Sequence, residues 1–152
     1  MSSNLRKDTI DPKLVRTKAL TDFPNHDVIY SVKAGRDGNI YLGVSNEFRP
    51  DVHAHLARYV PERDVVEDLV DLGELMPEGK DRMRPPHSKI HTAIYVDREG
   101  KVWAASHVTA PALGAEFHKI WEILDDPVRS YSGSHVICFD PSTEKVTDYG
   151  VV

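Results

Sequence analysis

The chain has 152 residues, enough for one domain with a substantial core, and 19 Lys and Arg against 24 Asp and Glu leave a formal net charge of −5. No run of Lys and Arg exceeds a pair, so neither nucleic acid nor an anionic membrane is expected as a partner. Cys138 is the sole cysteine, which excludes an intramolecular disulfide framework; no stretch resembles a signal h-region or a membrane span, and the expectation is a soluble cytoplasmic chain, or a secreted one if a leader precedes it.

Residues 1–27 have no sustained period and are broken by Pro12 and Pro24, which predicts an extended lead-in. From Val28 the chain reads as strand, a turn at 36–39 and strand, then, after a polar insertion, strand, a turn at 61–64 and strand. This first unit spans 28–75. Residues 76–89 (MPEGKDRMRPPHSK) are charged and carry a Pro pair, so they read as a linker; Arg82 and Arg84 read as its solvated charges, with contact to an anion as the alternative. The second unit spans 90–152 and contains a long insertion at 108–134, within which residues 115–124 place Phe117, Ile120, Trp121 and Leu124 at helical spacing.

The two units are the same pattern written twice. Setting Gly38 against Gly100 aligns Ile40 and Tyr41 with Val102 and Trp103; setting His55 against His135 aligns Tyr59 with Phe139, Val66 with Val146 and Asp68 with Asp148. In the second unit, residues 88–107 form a hairpin with β-branched and aromatic arms at 90–96 and 102–106 and a polar turn at 97–101. If Val96 pairs with Val102, Tyr95 faces Trp103 and His91 lies directly across from His107, with side chains roughly 5 Å apart. Two converging imidazoles can move protons near neutral pH or bind a metal.

The repeat sorts the histidines. His55 and His135 occur in both units, which suits a structural place at the start of the third strand, whereas His91 and His107 replace Ile29 and Ser45 and are the better functional candidates. His53 and His55 form an H-x-H pair that, with His135 and with His87 or His118 as a further ligand, is the candidate set for a divalent metal.

Repeated four-stranded antiparallel units that are apolar on both faces predict an all-β chain of β-propeller blades. Two blades do not close a ring, so the expectation is part of a larger propeller, with self-assembly of several copies or a sandwich as alternatives. The phrases KIHTAIYVDREGKVWAASH and GSHVICFDPSTEKVTDYG resemble blades of bacterial seven-bladed propellers, and most resemble the propeller-type polysaccharide lyases, ulvan lyases in particular and oligogalacturonate lyase more distantly. That resemblance implies an acidic oligo- or polysaccharide as substrate, further blades as partners and no required cofactor, a divalent metal being an option. It implies His91 and His107 as the acid/base pair for β-elimination, aided by a tyrosine and an arginine expected in a later blade, for which Tyr131 and Arg129 are the local substitutes. The alternative is a noncatalytic propeller module that binds a ligand or protein partner through the same face.

Overall fold

The computed structural model describes residues 13, 15, 17–81, 83–91, 94–116 and 122–152. The described residues form two four-stranded antiparallel sheets in simple meander order. The first holds β1 (Val28–Ala34), β2 (Ile40–Ser45), β3 (His55–Val60) and β4 (Val65–Asp71); the second holds β5 (Tyr95–Val96), β6 (Val102–Ala105), β7 (His135–Asp140) and β8 (Lys145–Val151). Neither sheet closes on itself. The described helices include α1 (Leu72–Leu75) and a 3-10 turn at Pro77–Lys80, and no helix among the described residues is long and apolar enough to cross a membrane.

The internal repeat extends to backbone detail. Gly38 and Gly100 occupy matched turn positions at φ 82° and 86°, where the missing Cβ removes the steric penalty of the left-handed region. Asp64 and Glu144, matched in the second turns, both adopt positive φ. Even the bulges correspond, since the pairing slips at Leu56/Ala57 in one sheet and at His135/Ile137 in the other.

One core joins the sheets. Tyr41 and Leu56 from the first pack with Val102, Ala104, Ile137 and Phe139 from the second, capped by Leu72, Met76 and Ile90. Alternation explains the division: along β6, Val102 and Ala104 face this core while Trp103 and Ala105 face away. Arg58 clamps the seam, donating to Glu67 on its own sheet and with two nitrogens to Glu144 on the other (2.9 and 3.1 Å). The opposite face of the first sheet is covered by the lead-in, where Leu20 and Phe23 pack on Leu42, Val44 and Ala57. That part of the lead-in is therefore a packing element.

Residues 85–89, placed in a linker on sequence, are buried together with Ile90 as a strap between the sheets. On one side Ala54 N–H donates to the His87 carbonyl (2.8 Å), Asn46 N–H to the Ser88 carbonyl (2.9 Å) and Ser31 Oγ to the Ile90 carbonyl (2.9 Å), while Ile90 N–H donates to Ser45 Oγ (3.2 Å). On the other side Lys89 exchanges both backbone hydrogen bonds with His107, at 3.0 and 2.8 Å. Arg84 ties the start of the strap to the insertion by donating to the Ser130 and Pro127 carbonyls (2.9 and 2.7 Å). Arg82, His118 and the centre of the helix expected at 115–124 lie outside the described residues.

This strap corrects the hairpin register. Tyr95 faces Trp103 and Val96 faces Val102 as expected, but the residue across from His107 is Lys89, so His91 is not directly opposite. The regular strand also begins at Tyr95 and not at residue 90. The cause is competition for backbone partners: both polar groups of the Ile90 backbone are taken by serines of the first sheet, and two extra residues accumulate between Lys89 and Tyr95.

Candidate functional site

Despite the shifted register, the structure brings His91 and His107 together. Their ring centroids are 5.8 Å apart, because His91 follows Lys89 by two residues and reaches His107 diagonally. Both side chains belong to exposed residues. The Tyr30 ring of β1 packs at a tilt against His91, with centroids 4.8 Å apart, and Lys89 Nζ lies 4.2 Å from the centre of the Tyr30 ring. Lys89 is itself buried and its ammonium sits 2.6 Å from a Glu47 carboxylate oxygen. Partial burial, followed by the charges of His91 and Lys89, holds the His107 pKa below its ordinary value. His107 is thereby poised as a neutral base near pH 7.

Tyr131 and Arg129 are engaged elsewhere. The Tyr131 hydroxyl lies 3.0 Å from His87 Nδ1 and 3.1 Å from Ser106 Oγ, and Arg129 Nε donates to Asp126 at 2.7 Å. Tyr30 and Lys89, which lie beside the pair, were not singled out from sequence. Tyr30 lies a whole unit away along the chain, and only the packing of β1 beside the second unit reveals it.

The candidate metal residues are also redistributed. His55 Nδ1 meets Asp68 at 2.8 Å and its ring packs against His26 and Phe23, at 4.8 and 5.2 Å, beneath the lead-in. His53 turns the other way and its Nδ1 accepts from the His87 backbone N–H at 3.2 Å. Among the described residues, His53, His55 and His135 do not converge as one ligand set.

A different set does. Glu78 from the 3-10 turn, His87 from the strap and His135 from the head of β7 bring one ligand atom each to within 4.8 Å of the others. Glu78 Oε1 is 2.6 Å from His135 Nε2 and 3.6 Å from His87 Nε2. Both imidazoles are held from behind: His135 Nδ1 by the Asp148 carboxylate (2.8 Å), and His87 Nδ1 by Ser106 Oγ (3.1 Å) and the Tyr131 hydroxyl. Burial drives the His87 pKa down to about 4. For His135, burial acts downward, but the hydrogen bonds its ring donates to Asp148 and Glu78 outweigh it and raise the pKa. Glu78 was missed on sequence because it sits in a charged segment with no periodic signal, while Asp148 was visible only as the repeat partner of Asp68.

No protein-family model matches the chain, and a search of curated proteins finds no match.

Proposed function

We propose that the two sheets are consecutive blades of a β-propeller and that the chain acts on uronate-containing glycans by β-elimination at His91 and His107. The observation that carries the reading is the 5.8 Å approach of two exposed imidazoles beside Tyr30 and Lys89. In this mechanism neutral His107 removes the proton α to the uronate carboxylate. The electron pair forms the new C=C bond as the bond to the leaving oxygen breaks, and His91 delivers a proton to that oxygen. Burial, then the neighbouring charges of His91 and Lys89, keep His107 neutral, while the tilted contact with Tyr30 fixes the His91 ring.

The test is incubation of the purified chain with a panel of uronate polysaccharides, following the ultraviolet absorbance of the unsaturated product. Activity that falls by about 100-fold or more in His91→Ala and in His107→Ala is expected, general acid–base catalysis contributing about 10²–10⁴-fold. Activity that survives both substitutions, or no product from any uronate glycan, overturns the proposal.

One observation favours a second reading, glycan binding without cleavage: the Lys89 ammonium is already paired with Glu47 and does not meet a substrate carboxylate directly. Retarded migration in uronate-glycan affinity gels with no unsaturated product would select it.

A further inference from the structure

We propose that Glu78, His87 and His135 form a zinc site that locks the strap to the second sheet, with ligands distinct from the exposed histidine pair. Two features separate it from an ordinary buried polar cluster. The first is an unpartnered atom: His87 Nε2 is buried, has no hydrogen-bond partner and points toward Glu78 at 3.6 Å, beyond hydrogen-bonding distance. The His87 side chain is only 2% exposed, so bulk water does not compensate it.

The second is the orientation of both rings. Asp148, an acceptor, takes the Nδ1 proton of His135, and the two hydroxyls behind His87 can accept its Nδ1 proton. Each neutral imidazole then aims an Nε2 lone pair at the same point, which the Glu78 carboxylate also faces. A proton on His135 Nε2 satisfies Glu78 at 2.6 Å but leaves His87 Nε2 unpartnered, whereas a cation in the proton's place meets all three ligand atoms. Histidine ligands held through their second nitrogen by carboxylates or hydroxyls are the usual outer shell of zinc centres.

Geometry and charge agree with zinc. Ligand atoms about 2.0–2.1 Å from a tetrahedral ion stand about 3.3–3.4 Å apart. The 3.6 Å from Glu78 to His87 is near that value, and the 2.6 Å from Glu78 to His135 opens to it as the ion displaces the bridging proton. Without a metal, His135 bridging two carboxylates as imidazolium leaves one net negative charge. With a divalent ion and neutral imidazoles, Glu78 and Asp148 are balanced and the cluster is neutral. Two nitrogen ligands disfavour calcium and magnesium.

The first unit supplies an internal comparison. His55 has the same carboxylate partner, Asp68 at 2.8 Å, but its Nε2 faces Asp71 at 3.8 Å, and no set of three ligand atoms forms there among the described residues. The histidine–aspartate pair belongs to the repeat, and Glu78 and His87 convert one copy of it into a binding site.

The experiment is to strip the full chain with a chelator, reload it with zinc and measure metal per chain, then replace zinc by cobalt(II) and record its visible spectrum. One zinc per chain and the intense bands of four-coordinate cobalt are expected. Both should be lost in His87→Ala and retained in His91→Ala. If His87→Ala does not fold by circular dichroism, Asp148→Asn decides: losing this outer partner should weaken zinc binding by about 10–100-fold. A folded parent chain that takes up no zinc overturns the proposal, as does uptake unaltered by folded His87→Ala or by Asp148→Asn. Zinc uptake retained in His91→Ala while uronate cleavage is lost separates this site from the histidine pair.

Discussion

Gly43 is where a single methyl group would disturb both the seam and the site it positions. A Cβ built there lies 2.8 Å from both the Ile90 Cβ and the Ile90 carbonyl oxygen, and 2.5 Å from Ser31 Oγ. Restoring an ordinary 3.4 Å contact requires the strap to retreat by about 0.6 Å, the difference between the two distances. The strap resists, since the Ile90 carbonyl accepts from Ser31 and its N–H donates to Ser45. Overpacking of about 1–3 kcal/mol, plus about 0.5–1.5 kcal/mol for the Ser31 hydrogen bond, puts Gly43→Ala at about 2–4 kcal/mol of lost stability. Urea unfolding at constant slope gives the value directly. Ser31→Ala alone should cost about 1 kcal/mol, and the double variant should cost less than the sum, because removing Ser31 Oγ relieves part of the collision. A Gly43→Ala protein within about 0.5 kcal/mol of the parent, the range of ordinary surface changes, would refute the tight contact between Ile90 and β2.

Replacing Lys89 by Met keeps the buried stem but strands Glu47, so a loss of about 2–4 kcal/mol is expected, below the full cost of breaking a buried pair because Glu47 keeps some solvent contact. The same change removes a positive charge beside His107, so its pKa should rise in an NMR titration; a fall, or no change, would contradict the placement of the two side chains. His55 has a raised pKa: burial alone would lower it, but the hydrogen bond and charge of Asp68, with Asp71, prevail. Its folded pKa lies above the unfolded value of about 6.5, so this contribution is complete below that pH and fades as pH rises through the folded pKa. The stability gap between the parent and Asp68→Asn should therefore be wider at pH 5.5 than at pH 9, and urea midpoints showing the opposite trend would invert the sign of the linkage.

The two sheets were legible because each of their signals is local. Alternating β-branched residues, turn glycines at 38 and 100 and the recurrence of His55 as His135 each report on a few adjacent residues, and the strand pairings at Tyr95–Trp103 follow from them. The strap was not legible. Its Pro pair and preceding charges have the composition of a solvated linker, yet residues 85–90 are buried because Ser31, Ser45, Asn46 and Ala54, remote in sequence, satisfy its backbone. The same long-range bonds displaced His91 from its expected partner by two residues. No alternation pattern announces a bulge, and that of the first hairpin in the first unit, between Ile29 and Ser31, was equally silent. Proximity of His91 to His107 survived the shift because a two-residue displacement leaves a side chain on the same face, where a one-residue slip would have turned it away.

The strap also makes the two histidine groups mechanically dependent on each other. His87 is gripped at one end by Ser106 and Tyr131, Lys89 is paired with His107 two residues on, and His91 stands two residues beyond that. Ser106 is the neighbour of His107 and its hydroxyl also accepts from the His135 backbone N–H at 2.9 Å, so one small side chain anchors the strap, β6 and β7 together. Releasing His87 should let the strap slide, drawing Lys89 and His91 away from His107 although neither has been altered. Both of those neighbours lower the His107 pKa, so in a folded Ser106→Ala variant that pKa should rise toward the ordinary histidine value, in the direction expected for Lys89→Met. A Ser106→Ala protein whose His107 titrates as in the parent would mean that the backbone pairing of Lys89 with His107 holds the site without help from the buried cluster.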